Sequence, residues 1–404
     1  NLLESTLDWS VSLNNKRCVD VIYIDFRRAF DSIVHSKLIF KLQSFGICGK
    51  LLTWLSAFLC NRTQRVVVEN CLSAERIVLS GVPQGSVLGP ILFLLYVNDI
   101  ETVCCGSTKF KLFADDLKLY SEIVVSTNSA NNCVSVTDLQ LSVNKLVVWA
   151  SDWQLSINFE KCSVLGLRGR ASVSSQNYNI NGYSLTSSQS VRDLGVEVDV
   201  QLTFKIHINN CVSKAMQRCG VLFRGFLCRD LTFLRKAFIT YIRPLLEFNC
   251  LIWSPREKKY IDLIEKVQRK FTKRIPCLRT LPYLERLASI NLPSLELRRL
   301  HTDLLYYYKV MHHMTPFTPE QLYNYHTPPS SLRSAIPFII TPRHCTSKLL
   351  SSFIYRSVGC WNSLPTSVQT AQSLNTFKSA ILLTDLSSHL YGSCFTSLNN
   401  YNIF

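Results

Sequence analysis

At 404 residues the chain is too long for one ordinary domain, and its length suits two or three. Apolar residue types make up 47% of it and charged types 18%, a balance that excludes a disordered tail and allows a sizeable core. The 44 Lys and Arg residues outnumber the 28 Asp and Glu residues and give a formal net charge of +16, which indicates a polyanionic partner, nucleic acid before an acidic membrane.

The first elements are predicted to be a buried strand and two helices. Residues 19–26 form a β-branched and aromatic run that is apolar in both phases, which is typical of a central strand covered on both faces. Asp25 is an acid deep within this run. The spacing then predicts a helix over 29–45 that ends at Gly46, and a second helix over 50–59.

A constrained loop is predicted next. After two short paired strands at 65–69 and 76–79, the segment 80–100 begins with three glycines and two prolines within ten residues. Pro90 fits the first turn of an apolar helix. This stretch therefore predicts a tight loop that leads into a buried helix.

Two adjacent acids lie between short alternating runs. Residues 109–120 are predicted to form two strands that flank Asp115 and Asp116, so a tight hairpin would carry both acids at its tip. A polar linker is predicted at 128–132 and a further strand at 163–167.

The pattern becomes helical after about residue 205. One helix is predicted over 260–275, apolar on one face and basic on the other. Its basic residues are Lys266, Arg269, Lys270, Lys273 and Arg274. From 256 to 309 the chain has thirteen basic and six acidic side chains, a net charge of +7. A nucleic-acid-binding surface and an ordinary solvated face both produce this pattern, so both interpretations stay open.

Prolines mark a linker before the last part of the chain. They are Pro316, Pro319, Pro328 and Pro329. We expect three domains, over 1–204, 205–315 and 316–404.

The 16 cysteines are scattered singly apart from Cys104 and Cys105, and no C-x-x-C occurs in the sequence. Zinc sites usually present two ligands within two to four residues, which this spacing does not provide. We expect reduced, mostly buried thiols in an intracellular protein. No apolar run approaches the roughly 18 residues of a membrane span, so no membrane partner is expected.

Three acids have the chemistry of a metal site. A pair of Asp residues in a turn is ordinarily solvated, because Asp hydrogen-bonds its own backbone there. Here the flanking apolar strands predict that the tip emerges from a core, where adjacent carboxylates repel and need a cation. Mg²⁺ suits carboxylates that hold one or two of its positions and leave the rest to phosphate. Spacing alone does not bring Asp25 near Asp115, so both interpretations stay open at this point.

Several motifs follow one another in a fixed order. They are Y-I-D-F-R-R-A-F-D at 23–31, S-G-V-P-Q-G-S-V-L-G-P at 80–90, F-A-D-D at 113–116, N-F-E-K-C at 158–162, R-D-L-G-V at 192–196 and C-W-N-S-L-P at 360–365. Together they resemble the reverse transcriptase of a non-LTR retrotransposon, close to the jockey lineage. The resemblance implies an α+β fold of the right-hand polymerase type. Its palm would be an antiparallel sheet with helices and would carry residual fingers. A helical thumb and a small C-terminal module would follow the palm.

The resemblance also implies roles for single residues. Asp25, Asp115 and Asp116 would bind two Mg²⁺ ions, with Mn²⁺ as a possible substitute. Lys161 would protonate the departing pyrophosphate, although a lone Lys is usually a solvated charge. Phe30 would lie beneath the incoming sugar and exclude a 2′-hydroxyl, and an ordinary core Phe is the alternative.

Further positions and partners follow from the same resemblance. Gln84 and Gly85 would lie near the nucleotide, and Leu194 and Gly195 would steady the primer end. The partners would be an RNA template, a DNA primer and a dNTP, at an intracellular site in the nucleus or cytoplasm. The resemblance specifies no protein partner.

Two features depart from the family pattern. Leu117 stands where relatives commonly have Thr after the paired acids. The chain begins at Asn1, within a segment that resembles the stretch just before the first catalytic strand. We therefore expect a fragment of a second open reading frame that lacks most of the fingers and the upstream endonuclease domain.

The predicted activity is RNA-directed DNA synthesis. RNA-dependent RNA synthesis on the same palm is a rival, and Phe30 argues against it because a ribonucleotide polymerase should not place a bulky aromatic side chain beneath the sugar. A second rival is a catalytically impaired, element-derived fragment that only binds nucleic acid. The missing fingers favour that rival, and the intact acids oppose it.

Overall fold

The computed structural model describes residues 1–123, 134–168, 177–326, 338–342 and 344–392. The linker predicted at 128–132 lies outside these residues, as do Pro328 and Pro329. The chain forms two compact units, one of Asn1–Ser5 with Asn15–Leu194 and the other of Thr6–Asn14 with Gly195–Phe404. The domain boundaries predicted after residues 204 and 315 stay predictions.

Helices predominate in the described residues. They are α1 (Leu2–Asn14), α2 (His35–Ser44), α3 (Gly49–Leu59), α4 (Leu88–Val97), α5 (Val134–Asp152), α6 (Lys205–Gly225), α7 (Leu231–Ala237), α8 (Arg243–Glu247), α9 (Cys250–Trp253), α10 (Lys258–Lys273), α11 (Tyr283–Ser289), α12 (Leu295–Met311), α13 (Pro319–Leu322), α14 (Ser347–Ser351), α15 (Phe353–Arg356), α16 (Val358–Ser363), α17 (Thr366–Gln369) and α18 (Leu374–Leu383). None of them has the length and apolarity needed to cross a membrane.

The strands are mostly short. They are β1 (Cys18–Ile24), β2 (Thr63–Gln64), β3 (Val67–Val68), β4 (Cys71–Leu72), β5 (Arg76–Ile77), β6 (Lys109–Phe113), β7 (Asp116–Ile123), β8 (Ser163–Leu167), β9 (Asn179–Ile180), β10 (Tyr183–Ser184), β11 (Thr186–Ser187), β12 (Ser190–Asp193), β13 (Val196–Asp199), β14 (Asn324–His326) and β15 (Phe338–Ile340).

A mixed five-stranded sheet lies at the centre of the first unit, in the order β11-β8-β1-β7-β6. β1 pairs antiparallel with β7 and β8, and β6 pairs antiparallel with β7. β11 pairs parallel with β8, so the sheet, which the resemblance implied to be antiparallel, is mixed at that edge. The central place of β1 explains why its sequence is apolar in both phases.

The two faces of the sheet differ in character. Ile22 and Ile24 of β1 and Leu119 of β7 are buried in the core of this unit, which α4 and α5 also line. Because successive strand residues point to opposite faces, Tyr23 and Asp25 lie on the other face. The sheet therefore has one apolar face and one face with polar groups at the ends of β1 and β7.

The helix predicted over 29–45 is shorter in the structure. α2 begins only at His35. Arg28 has a left-handed φ of 46°, and the N–H of Asp31 donates to the carbonyl of Arg28 in a turn. The carbonyl of Ile33 accepts from Gly81, so tertiary contacts replace the first helical turns.

The second unit is largely helical. α10 packs against α6 and α12. Its apolar row is buried, at 2% exposure or less for Ile261, Ile264, Val267 and Phe271, which confirms the predicted helix. The described cysteines are free thiols, and several of them are exposed, such as Cys48 and Cys277, so their burial is less general than predicted.

Candidate functional site

The β6–β7 hairpin carries two of the predicted acids. Phe113 pairs with Asp116 in the antiparallel register, so Ala114 and Asp115 form a two-residue loop. Ala114 has a φ of 52°, a left-handed conformation that costs a non-glycine residue about 1–2 kcal/mol. The predicted hairpin is confirmed, with Asp115 in the loop and Asp116 as the first residue of β7.

Asp25 lies one residue beyond the end of β1. Ile24 pairs with Leu117, and the same register carried one step further sets Asp25 beside Asp116. The N–H of Asn158 donates to the carbonyl of Asp25 at 2.7 Å and ties this position to the segment that leads into β8. Through that segment Lys161 places its Nζ 3.7 Å from Asp25 Oδ2. The fold therefore gathers residues that lie far apart in sequence.

A pocket of about 140 Å³ opens on the polar face of the first unit. Its lining includes Tyr23, Asp25, Asp116, Lys118, Lys161, Ser163, Asp193 and Leu194. Tyr23 and Lys118 face each other across β1 and β7, two residues from Asp25 and Asp116 respectively. The strand period of two therefore directs all four side chains to the same face.

A buried ion pair lies beside the acids. Lys118 Nζ donates to Asp193 Oδ2 at 2.6 Å, and the Tyr23 hydroxyl donates to the same oxygen at 3.2 Å. Burial lowers the pKa of Lys118, and the Asp193 carboxylate partly offsets that shift. Burial also raises the pKa of Tyr23 well above 10, so its hydroxyl stays protonated and remains a donor.

Negative charge accumulates at the hairpin. Partial burial raises the pKa of Asp116 above its usual 3.8, and the charges of Asp115, Asp193 and Asp25 raise it further. A divalent cation would relieve this repulsion, and carboxylate oxygens are the ligands that Mg²⁺ prefers. Among the described residues, no three His, Cys, Asp or Glu side chains are grouped closely enough to form a complete metal site. Asp25, Asp115 and Asp116 are therefore not brought together as a set of three ligands, and their binding of a metal ion stays a prediction.

Phe30 is half-buried at the edge of the core. Its ring stacks on Phe93 of α4, with centroids 4.2 Å apart and planes 20° apart. Its carbonyl accepts from the N–H of Val82 at 3.0 Å, and a Cβ at Gly81 would lie 3.0 Å from that carbonyl oxygen. A ring that is partly packed and partly exposed is compatible with both a core role and a contact with ligand.

Gln84 and Gly85 lie in the loop before α4. Gln84 Nε2 donates to Asp31 Oδ1 at 2.7 Å, and Gln84 lines a second pocket of about 710 Å³ with Arg62. Gly85 has a φ of 82° in open space, so its conformation and not crowding favours glycine. Neither residue lines the pocket that contains Asp25.

Leu194 and Gly195 are two consecutive residues with left-handed φ, at 45° and 85°. This combination is typical of a tight two-residue turn. Leu194 lines the acidic pocket. A Cβ at position 195 would come within 3.0 Å of Phe248 Cε1, so contact with that ring also restricts this position to glycine.

The five basic residues predicted to bind nucleic acid lie in or directly after α10. Lys266, Lys270, Lys273 and Arg274 are exposed, and Arg269 is half-buried. Arg269 lies over Tyr283, 5.0 Å from the ring centroid, and Arg274 lies over Phe223 at 4.1 Å. Both arginines therefore have part of their cationic surface against an aromatic ring. That any of the five binds nucleic acid stays a prediction.

Sequence reasoning gave no role to Tyr23, Lys118 or Asp193, although the motifs at 23–31 and 192–196 contain Tyr23 and Asp193. The available signal was the strand period, which places Tyr23 on the face of Asp25 and Lys118 on the face of Asp116. The pairing of Lys118 with Asp193 had no local signal, because 75 positions separate the two residues.

Comparisons with known proteins point in one direction. Residues 3–198 match the family model described as "Reverse transcriptase (RNA-dependent DNA polymerase)". The "RNA-directed DNA polymerase from mobile element jockey" of Drosophila melanogaster is 27% identical over 275 residues, which cover 65% of this chain and 29% of that protein. The "Probable RNA-directed DNA polymerase from transposon BS" of the same species is 26% identical over 284 residues, covering 65% of this chain and 30% of that protein. The chain thus spans under a third of the length of these relatives.

Solved structures are more distant. The structure of a telomerase from Candida tropicalis, in complex with a fragment of telomeric RNA, is 12% identical to this chain. The match covers 78% of this chain and 50% of the telomerase chain, with a TM-score of 0.38. Similarity at that level does not define the fold.

Proposed function

Residues 3–198 belong to the reverse transcriptase family, and from this premise we propose that the chain carries the polymerase core of a jockey-like non-LTR retrotransposon. The reaction would be RNA-templated DNA synthesis, in which a primer 3′-hydroxyl attacks the α-phosphorus of a dNTP. A new P–O bond forms as the bond to the β-phosphate breaks and pyrophosphate leaves. The convergence of Asp25, Asp116 and Lys161 on one pocket is the observation that carries this proposal.

Asp25, Asp115 and Asp116 are the proposed ligands of two Mg²⁺ ions, for which Mn²⁺ can substitute. When bound, such ions lower the pKa of the attacking hydroxyl and neutralise charge on the leaving group. The oxygen-only donor set supports this assignment. So does the raised pKa of Asp116, because it marks a carboxylate that gains from a nearby cation.

Lys161 is the proposed proton donor to the departing pyrophosphate. Its Nζ lies 3.7 Å from Asp25 Oδ2, and its side chain is 69% exposed. The ammonium is therefore close to the acids and still accessible to a ligand in the pocket. A donor in this position would release its proton as the bond to the β-phosphate breaks.

Other residues are proposed to select and align the reactants. Phe30 would lie beneath the incoming sugar, where its bulk excludes a 2′-hydroxyl. Gln84 and Gly85 would contact the nucleotide from the loop before α4, and Leu194 and Gly195 would steady the primer end. The place of Leu194 in the lining of the acidic pocket supports its part of this assignment.

We assign residues 1–204 to the palm with a remnant of the fingers, 205–315 to a helical thumb and 316–404 to a C-terminal module. On the thumb, Lys266, Lys270 and Lys273 would contact phosphates of the template–primer duplex, as would Arg269 and Arg274 with their exposed edges. A catalytically impaired fragment that only binds nucleic acid is the second candidate. The exposed lysines of α10 support it equally well, because their charge does not depend on the acids.

Primer extension on an RNA template distinguishes the two candidates. Asp115→Asn should slow extension at least about a thousandfold, because metal-linked stabilisation of the transition state amounts to several kcal/mol. Asp152→Asn is the matched control, since Asp152 is an exposed acid on α5. Extension by Asp115→Asn at near-parental rate would overturn the two-metal assignment. Tight binding of primed RNA with no extension by the parental chain would favour the second candidate.

A further inference from the structure

We propose that Lys118, Asp193 and Tyr23 form a positioning network that holds the segment 190–194 against the acidic face of the central sheet. This inference rests on the proposed function, because the object positioned would be a primer end beside the acids. None of the three residues needs to touch the reacting atoms. They would act through the backbone that Asp193 anchors.

The contacts of the network all lie within the first unit. Lys118 Nζ and the Tyr23 hydroxyl both donate to Asp193 Oδ2, at 2.6 Å and 3.2 Å. The side chains of Lys118 and Asp193 are 4% and 6% exposed. Tyr23 and Lys118 are direct partners across β1 and β7, so the central strands present the two donors as a rigid pair.

Asp193 transmits this anchoring to the pocket. It immediately precedes Leu194, and both residues line the pocket together with Asp25 and Asp116. A buried carboxylate that loses its cationic partner is strongly unfavourable, because no water replaces the missing interaction. Without Lys118, Asp193 would therefore move toward solvent and displace Leu194 with it. The expected result is a primer end that binds less tightly and aligns less well.

A second buried ion pair in the same sheet provides a matched control. Arg168 Nη2 lies 2.5 Å from Asp20 Oδ1, and these side chains are 16% and 0% exposed. Asp20 is three residues from Tyr23 on β1 and therefore points to the opposite face. Neither residue lines the acidic pocket. Breaking this pair should lower stability without acting on the primer.

The test measures the affinity for a primed RNA template by fluorescence anisotropy, and KM and kcat for extension with that template as the varied substrate. Lys118→Met should raise the dissociation constant and KM about tenfold or more, which is the size of effect expected when the primer end is slightly misplaced. The variant should change kcat less. Lys118→Arg should restore most of the affinity. Adding Asp193→Asn to Lys118→Met should make KM no worse, because it removes the unpaired charge. Arg168→Met should lower the melting temperature and leave KM unchanged.

Three outcomes would overturn the inference. Equal KM and affinity in Lys118→Met and Arg168→Met would mean that Lys118 is structural only. If Lys118→Met does not fold, Tyr23→Phe provides a second test, because it removes one hydroxyl without leaving a buried charge unpaired. The network would be contradicted if Tyr23→Phe kept parental affinity for primed RNA while Lys118→Arg lost that affinity completely. Parental affinity in Lys118→Met overturns the inference whether or not the parental chain extends primers. A parental chain that binds but does not extend overturns the proposed function alone.

Discussion

Phe30→Ala separates the two roles that a half-buried ring can have. If the ring lies beneath the incoming sugar, its removal opens space for a 2′-hydroxyl. Discrimination against ribonucleotides should then fall about 10- to 100-fold, the scale set by a small group in a fitted pocket. The kcat/KM for deoxynucleotides should fall less, because they have no 2′-hydroxyl to clash with the ring. The ratio of kcat/KM for single incorporation of dATP and ATP measures this change.

The same substitution has a cost in stability that the structure allows us to work out. Truncation of a fully buried Phe costs about 3–5 kcal/mol, and Phe30 is half-buried, so we expect a loss of about 2 kcal/mol in the free energy of unfolding. Of this, the stacked contact with Phe93 at 4.2 Å accounts for about 0.5–1.5 kcal/mol. Urea unfolding measures the loss and shows whether the variant is folded in the incorporation assay.

Phe93→Leu is the matched control for this experiment. It removes the stacking partner of Phe30 within the core and leaves the Phe30 ring in place. Stability should fall, and discrimination against ribonucleotides should stay close to parental. If Phe30→Ala loses stability but keeps parental discrimination, the ring is an ordinary core residue and its assignment beneath the sugar is wrong.

Three further predictions concern charge and alignment. Replacing Lys266, Lys270 and Lys273 with Gln should make the binding of primed RNA less dependent on salt. The slope of the logarithm of the binding constant against the logarithm of salt concentration should decrease by about 0.9 for each phosphate that is no longer neutralised. An unchanged slope would show that these lysines are only solvated. In metal-free buffer, the pKa of Asp116 is higher in the folded than in the unfolded chain. Protonation of Asp116 therefore contributes to the free energy of unfolding fully below pH 3.8, and this contribution is lost as the pH rises through the raised pKa. Asp116→Asn should abolish that part of the pH dependence in urea unfolding, and an identical pH profile would contradict the crowding of acids. A longer chain that also carries a fingers domain should copy RNA much faster than residues 1–404 at a similar salt slope, because alignment of the triphosphate is worth several kcal/mol. Equal rates would place the residues that bind the nucleotide within 1–404.

Elements with a strong local pattern were predictable from the sequence. α10 has its apolar side chains at helical spacing, and Ile261 and Phe271 are buried as that spacing requires. β1 is central in the sheet because its sequence is apolar in both phases. The start of α2 was not predictable in this way. The carbonyls of Phe30 and Ile33 accept from Val82 and Gly81, and such long-range hydrogen bonds leave no trace in the local spacing.

The candidate site was also predictable only in part from the sequence. The motif resemblance pointed to Asp25 and Asp116, and the sheet register sets them side by side. The ion pair of Lys118 with Asp193 depends on a contact across 75 residues, which neither composition nor period reveals. Tertiary structure was therefore needed to find the residues that surround the acids.

The alternation of β7 also has a consequence for how this strand tolerates mutations. Leu117 and Leu119 point into the core, and Lys118 between them points to the acidic pocket. A point substitution changes one of these side chains and leaves its neighbours in place. Loss of a single codon early in β7 would turn every later side chain to the opposite face, which would bury the Lys118 ammonium among apolar residues and bring leucines into the pocket. Single substitutions in this strand therefore change one face at a time, whereas one in-frame deletion would disrupt the core and the pocket together.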